Sequence, residues 1–253
     1  MKALLAAEML KLRSTRTTAG LLLATLGLVA LTVGSEIPKV GAAEGPLSLD
    51  DPDLLADVVA TCFGIPQLLM VLYGTIAVTQ EFRYGTITST YLGEPRRSRI
   101  LVAKWIALAL VGAVICIATL ALSVSFSIAL IRSRGGDVTL AGHFWGVVAV
   151  GFVVLAAYGV IGVAIGALVR NQVAAVVGVI VFMTAIEFTV VPTFPEVGRW
   201  FPLGATSAMF QSGPSLGLDG ELLSAPVAGL VLLGYTAAAV VLALRITPRR
   251  DVL

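Results

Sequence analysis

Six long apolar runs constrain the fold of this chain more than any other feature of its sequence. Hydrophobic residues make up 58% of its 253 residues and charged residues 13%, whereas a soluble domain carries roughly 25% charged residues. The longer runs suffice for a helix to cross a bilayer, and none alternates polar and apolar residues as a barrel strand does. The sequence therefore predicts a single all-α integral membrane domain with six transmembrane helices. The runs are approximately Thr18–Val33, Val58–Val78, Trp105–Ile131, Phe144–Val169, Val173–Val191 and Pro226–Leu244.

The distribution of lysine and arginine predicts the orientation of the spans. If the N-terminus is cytosolic, only four of the 17 basic residues fall outside, as expected from the enrichment of basic residues in cytosolic loops. We therefore expect both termini in the cytosol and a multi-pass location in the cell (inner or plasma) membrane. The net charge of +2 gives no reason to expect a nucleic-acid partner. The four outer basic residues are Lys39, Arg132, Arg134 and Arg199.

Two segments outside the spans are predicted to lie against the membrane. Residues 1–17 mix leucines with basic side chains, which suits an interfacial helix touching lipid headgroups; a simple basic anchor for the first span explains the pattern equally well. Residues 192–225 are too broken by proline and glycine to span, yet Trp200, Phe201 and Phe210 suit a solvated loop poorly. We expect one or two short outer interfacial or re-entrant helices there, which cover the outer ends of the spans.

The positions of glycine and proline predict an outer loop and a close helix contact. Residues 34–57 contain several of both and are predicted to form an outer loop with little regular structure. Gly159, Gly162 and Gly166 share one face of the fourth helix, a pattern that lets helices approach closely in lipid. This face suits packing inside one subunit as well as it suits dimerisation.

A charged segment at 80–104 separates the second and third runs. Glu81 and Arg83 stand at the inner end of the second run, and Gly85 permits a tight bend or a close approach. Pro95 should end the helix that follows. The arginines around it suit phosphate headgroups or acidic partner side chains, although a topology signal without any partner would also be basic. These arginines are Arg96, Arg97 and Arg99.

The sequence carries no recognisable catalytic or metal site. It lacks the G-x-x-x-x-G-K-[ST] loop that binds nucleotide phosphates, and His143 is its one histidine, so no metal-ligand cluster is formed. Cys62 and Cys116 lie in apolar runs and are expected to be buried. We therefore expect no enzymatic activity in this chain.

Glu187 is the one carboxylate clearly inside an apolar run. Ionisable groups in a bilayer are unfavourable and often mark a transport pathway. Because Glu187 lies near the outer end of the fifth run, it could instead reach interfacial water or accept a structural hydrogen bond. We keep it as a possible pathway residue beside these structural alternatives.

Several motifs follow one another among the spans, and in this order the chain resembles the membrane-spanning subunit of an ABC-2-type ABC transporter over most of its length. No single motif is as specific as a metal-binding set of cysteines, but the order of the motifs among six spans is considerably more specific. The aromatic and proline residues around Trp200 also fit. The motifs are E-x-L-K-L-R-x-x-R from Glu8 to Arg16, E-F-R-Y-G-T at Glu81–Thr86, P-R-R-S-R…K from Pro95 to Lys104, and G-A-L-V-R-N-Q at Gly166–Gln172.

The resemblance implies that residues 80–104 form a coupling segment against separate ATP-binding subunits, which would hold ATP and Mg²⁺, whereas this chain itself binds no cofactor. It also implies a second permease subunit, identical or homologous, and export of an amphipathic, lipid-like or drug-like molecule. The residues implied in coupling are Glu81, Arg83, Gly85, Thr86, Pro95, Arg96, Arg97 and Lys104.

Two other classes of function stay open at this point. One is a secondary carrier or channel that works alone, against which the sparse intramembrane charge and the lack of a visible repeat both count. The other is a membrane scaffold or sensor subunit that transports nothing. Partner and transport measurements separate these readings.

Overall fold

Lipid offers no water to the backbone polar groups of a spanning segment, so the apolar runs fold into helices that satisfy those groups internally. The computed structural model describes residues 1–36, 51–140, 142–211 and 222–247. Within this part, six helical segments are long and apolar enough to cross a membrane, which confirms the predicted number. Spans 1 to 6 are Arg16–Glu36, Leu54–Arg83, Arg97–Ser133, Gly142–Val169, Gln172–Thr193 and Ala225–Ile246.

Four of the spans are single helices and two are interrupted. Span 2 breaks at Cys62 and Phe63 into two helices. Span 5 changes over Val181–Glu187 into a π-helix, in which each turn is wider than an α-helical turn. The helices of the spans are α2 (Arg16–Glu36), α3 (Leu54–Thr61), α4 (Gly64–Arg83), α6 (Arg97–Ser133), α7 (Gly142–Val169), α8 (Gln172–Ile180), α9 (Phe188–Thr193) and α12 (Ala225–Ile246).

Short helices lie at both ends of the bundle. At one end, which we call the basic end, lie α1 (Lys2–Ser14) and α5 (Thr86–Gly93). At the opposite end lie α10 (Pro195–Gly198) and α11 (Pro202–Phe210). Residues 1–17, 80–104 and 192–211 therefore contain short helices. Their position at the membrane surface stays a prediction, and residues 212–221 lie outside the described part.

The predicted boundaries need two corrections. The loop expected at 34–57 is helical at both margins, because α2 runs to Glu36 and α3 begins at Leu54; residues 37–50 lie outside the described part. The third helix begins at Arg97, well before Trp105, because the basic residues of this stretch have good helix propensity. The C-terminal basic residues Arg249 and Arg250 also lie outside the described residues.

The core of the bundle is the contact between α4 and α7, and glycine makes it possible. A Cβ atom at Gly162 would stand 2.2 Å from the carbonyl oxygen of Val71, and one at Gly166 would stand 2.7 Å from that of Thr75. The Thr75 hydroxyl donates to the Gly162 carbonyl at 3.2 Å. The glycine face of the fourth span is thus used for packing inside the subunit, which decides between the two alternatives left by the sequence.

Candidate functional site

Four charged side chains from three helices meet at the basic end, and we call them the charge cluster: Glu8 and Lys11 of α1, Glu81 of α4 and Lys104 of α6. Lys104 Nζ donates to Glu8 Oε2 at 2.8 Å and to Glu81 Oε1 at 2.7 Å. Lys11 Nζ donates to Glu8 Oε1 and to the same Glu81 oxygen, both at 2.9 Å. The two ammonium groups therefore bridge the two carboxylates in a closed set of ion pairs.

Three members of the charge cluster are buried. Glu8, Glu81 and Lys104 are 3%, 5% and 2% exposed, whereas Lys11 lies at the edge of the cluster. A buried charge is tolerated when it is paired and hydrogen-bonded, and removing one partner leaves the other uncompensated. Two positive and two negative groups balance here. The cluster therefore holds α1, α4 and α6 together only while all four charges are present.

The electrostatics of α1 follow from this geometry. Burial raises the pKa of Glu8, but the ammonium groups of Lys104 and Lys11 lower it by more, so the net shift is downward. Burial lowers the pKa of Lys11, but hydrogen bonds to Glu8 and Glu81 raise it by more, so the net shift is upward. Both shifts keep the groups charged over the middle of the pH range.

The coupling residues predicted from sequence thus divide into two groups. Glu81 and Lys104 are buried in the charge cluster and have no surface to offer a partner. Arg83, Thr86, Pro95 and Arg96 are exposed around α5. Arg97 packs its guanidinium over the ring of Tyr91, 4.9 Å from the ring centre.

The α5 helix is fixed to the charge cluster on its inner side and exposed on its outer side. Lys11 Nζ donates to the Thr90 hydroxyl at 3.3 Å, and Ile87 is 4% exposed. On the other side, Leu92 is 81% exposed, and Tyr84, just before the helix, is 70% exposed. Exposed apolar side chains beside arginines suit a protein partner or lipid headgroups, the two alternatives that the sequence left open.

Gly85 sets the direction of α5. Its φ of +69° lies in the left-handed region that glycine adopts without penalty. Nothing stands within 4 Å of a Cβ atom built there. Of the two roles that the sequence suggested for Gly85, the tight bend is therefore the one observed.

Sequence reasoning missed the charge cluster as a unit. Its members come from three of the motifs, and residues 8, 81 and 104 are far apart along the chain. A usable signal was present in the sequence. Near the basic end, α4 carries the acidic Glu81, α6 carries the basic Lys104, and α1 carries one residue of each sign.

Glu187 lies at the end of the π-helical segment and is fully buried. Its Oε1 accepts a hydrogen bond from the Leu203 backbone N–H at the start of α11, at 3.0 Å. Its Oε2 has no hydrogen-bond partner among the described residues. Of the structural alternatives, the hydrogen-bonded position is the one observed, and Glu187 does not reach interfacial water.

A pocket of about 210 Å³ lies beside Glu187, between α7 and span 5. Its lining is almost wholly apolar, and Glu187 and Tyr158 supply the polar side chains. Small residues on α8 leave the space open. The lining residues are Val71, Tyr158, Ile161, Ile165, Val169, Ala174, Ala175, Gly178, Val179, Phe182, Met183, Glu187 and Pro202.

The three aromatic residues predicted as an outer cover have different environments. Phe210 is 3% exposed and stacks on Phe63, with ring centres 5.0 Å apart. Phe201 stacks on Phe182 at 6.2 Å. Trp200 is 47% exposed. The described part of this segment packs on the end of the bundle through its phenylalanines, and its role as a cover stays a prediction.

Other possible sites are few. Among the described residues no group of three or more histidine, cysteine or acidic side chains is arranged to hold a metal ion. His143 Nε2 lies 3.7 Å from Asp57 Oδ1, a pair between α7 and α3 that the sequence did not predict. Cys62 and Cys116 are buried free thiols, as expected.

Comparison with known protein families gives a match over most of the chain. A family model described as "ABC-2 family transporter protein" matches residues 4–195, a range that contains the charge cluster, α5 and Glu187. No curated protein gives a significant match to the chain. The match confirms the resemblance inferred from the order of the motifs.

Proposed function

The chain belongs to the ABC-2 transporter family, and on this premise we propose that it is the membrane-spanning subunit of an ATP-driven exporter. Separate ATP-binding subunits would bind at its basic end, and a second permease subunit, identical or homologous, would complete the pathway. The observation that carries the proposal is the combination of an exposed apolar and basic surface on α5 with a buried charge cluster directly behind it.

The basic end is the cytosolic end in this proposal. The basic residues of the chain concentrate there, and the positive-inside rule favours that orientation. ATP is available on the cytosolic side, so an ATPase partner has to meet this face. The orientation is consistent with a multi-pass location in the cell membrane.

Coupling would begin at the exposed side of α5. Leu92 and Tyr84 offer apolar area for docking, while Arg83 and Arg96 offer positive charge to acidic residues of the partner. Closure of the ATP-binding subunits around ATP and Mg²⁺ would press on this surface. The chain contributes the docking surface, and the hydrolytic chemistry belongs to the partner.

The charge cluster would pass this movement into the membrane. Breaking a buried ion pair is costly, so α1, α4 and α6 are expected to move as a unit with α5. The tight glycine contact joins α7 to α4. A push on α5 would therefore tilt a group of helices, which opens or closes a pathway at the subunit boundary.

The apolar pocket beside Glu187 supports a substrate class for this exporter. Its lining favours an amphipathic, lipid-like or drug-like molecule that enters from the membrane. A scaffold or sensor subunit would share the docking surface, and a secondary carrier would not need it.

The test is a pull-down with the ABC ATPase encoded nearest to this chain, followed by reconstitution into liposomes. Leu92→Asp should abolish copurification of the ATPase. Leu140→Asp is the matched control, because Leu140 is also exposed but lies at the opposite end. Equal copurification of the ATPase by both variants would contradict the docking surface.

Reconstitution separates the alternative functions. ATP-dependent extrusion of a lipophilic dye supports the exporter. A stable complex that hydrolyses ATP without moving any substrate would support a scaffold or sensor. Transport by the chain alone, driven by an ion gradient, would identify a secondary carrier.

A further inference from the structure

We propose that the pocket beside Glu187 binds a lipophilic amine, with the ammonium group against the free carboxylate oxygen and the apolar body between α7 and α8. As a statement about what an exporter carries, this rests on the proposed function. As a statement about binding, it concerns this chain alone.

The first support is the state of the Glu187 carboxyl group. It is fully buried, one oxygen is held by the Leu203 N–H, and the other has no hydrogen-bond partner among the described residues. Buried polar atoms in proteins are nearly always hydrogen-bonded. Glu187 is one of the residues that line the pocket, so a small turn of its carboxyl group would bring this unpartnered oxygen to a donor bound there.

The second support is the charge that would balance this position. The N-terminus of a helix carries partial positive charge, and Leu203 lies in the first turn of α11, so its N–H favours the ionised carboxylate, whereas burial opposes its ionisation. An ionised carboxylate in apolar surroundings needs a cation. An ammonium group supplies both the positive charge and the donor, in a hydrogen bond stronger than a neutral one.

The third support is the shape and lining of the pocket. At about 210 Å³ it exceeds the roughly 150 Å³ cavity that holds benzene in another protein, so a compact hydrocarbon cage or ring fits. Ala174, Ala175 and Gly178 keep α8 thin along one wall. Because Ala174 and Gly178 are exposed, a ligand can enter from the side that faces the membrane.

The π-helical segment explains how the carboxyl group comes to this position. A π-helical stretch turns each following side chain away from the direction it would take in a regular helix, and such stretches are frequent at functional sites. Here the stretch ends at Glu187 and directs it inward, while Val181 and Ile186 in the same segment stay exposed.

The experiment measures saturable binding of tritiated 1-adamantylamine to the full-length chain in lipid nanodiscs, without ATPase or ATP, after subtraction of binding to empty nanodiscs. We expect Glu187→Gln to weaken binding at least about tenfold, since a charge-assisted hydrogen bond is lost. The glutamine keeps an oxygen that accepts from Leu203, so the fold should persist. The matched control is Glu196→Gln, which removes an exposed carboxylate of the next segment and should bind normally.

A second pair of variants tests the space rather than the charge. Gly178→Leu should abolish binding because the new side chain stands in the pocket wall, whereas Gly234→Leu should not. Both glycines are exposed in spanning helices, and neither has an atom within 4 Å of an added Cβ. If Glu187→Gln does not fold, this pair tests the position of the site, and competition by an uncharged analogue tests the charge.

Two results would overturn the proposal. One is an equal affinity of wild type, Glu187→Gln and Gly178→Leu for the amine. The other is full competition by unlabelled 1-methyladamantane, which lacks a charge and a donor. Because no ATPase is present, either result leaves the proposed exporter function untouched.

Discussion

Lys104 on α6 and Glu81 on α4 form an ion pair of 2.7 Å in which neither residue is more than 5% exposed. The pair lies at the basic end of the bundle, where α1 adds Glu8 and Lys11 to complete the charge cluster. Ion pairs on the surface contribute little to the free energy of unfolding. Removing one member of a buried pair destabilises the protein strongly, because the other charge is left buried without a partner. This relationship makes the charge cluster sensitive to single substitutions.

Lys104→Met is therefore expected to lower the free energy of unfolding by about 3–5 kcal/mol, because Glu8 and Glu81 then share one ammonium group. Thermal unfolding in detergent, followed by circular dichroism, would measure the loss. Arg99→Met is the control on the same helix, since Arg99 is exposed and makes only a 3.5 Å contact with Glu94. Similar melting temperatures for the two variants would contradict the energetic role of the cluster.

The contribution of Glu8 to stability should depend on pH in a defined direction. Its pKa is lowered from 4.5 in the folded state, so its stabilising effect is full above pH 4.5 and is lost as the pH falls through the folded value. The pKa of Lys11 is raised from 10.5, so its effect is full below that pH and is lost as the pH rises above it. The melting temperature of wild type should exceed that of Glu8→Gln by a constant amount between these limits. This difference in melting temperature should become smaller in acid. A difference that acid does not change would argue against the ion pairs of Glu8.

The spans were predictable and the charge cluster was not, for physical reasons. Hydropathy reports the local preference of a segment for lipid, so every span appeared in the sequence. The pairing of Glu8 with Lys104 depends on how two helices meet in space, which local patterns do not encode. Glu81 was predicted to take part in coupling because it lies next to Arg83 and Gly85. The structure instead buries its side chain in the charge cluster.

The same distinction applies to Glu187 and the glycine face. The sequence identified Glu187 as an unusual intramembrane carboxylate, but its partner is a backbone N–H in another segment, which no side-chain motif reveals. The glycines of α7 were recognised as a close-packing face. Only the position of Val71 and Thr75 on α4 shows which helix uses it.

Gly85→Ala tests the bend before α5. An alanine at a φ of +69° costs about 1–2 kcal/mol, and relaxing that strain would tilt α5 away from Lys11. We expect lower substrate-stimulated ATP hydrolysis in the reconstituted complex with normal membrane insertion. Gly93→Ala is the matched control, because Gly93 has no positive φ and no atom within 4 Å of an added Cβ. If both variants hydrolyse ATP like wild type, the bend is not needed for coupling.

The orientation of the bundle can be tested with two cysteines on one helix. At 37 residues, α6 is about 55 Å long, so both of its ends should leave the membrane core. Ser98→Cys and Ser133→Cys are nearly isosteric changes at exposed positions near its two ends. In a background where Cys62 and Cys116 are replaced by serine, an impermeant maleimide should label position 133 in intact cells and position 98 only after permeabilisation. The reverse pattern would invert the proposed topology.

The phenylalanines of residues 192–211 test whether this segment holds the far end of the pathway closed. Phe210 stacks on Phe63 and Phe201 on Phe182, so the two rings tie the segment to the break in span 2 and to span 5. Phe201→Ser with Phe210→Ser removes both contacts, each worth about 1.5–3 kcal/mol of apolar burial, and should loosen this end. We expect raised basal ATP hydrolysis and dye leak with normal expression. Phe194→Ser is the control in the same segment, since Phe194 is 60% exposed. Unchanged leak in the double variant would mean that the segment packs on the bundle without closing any pathway.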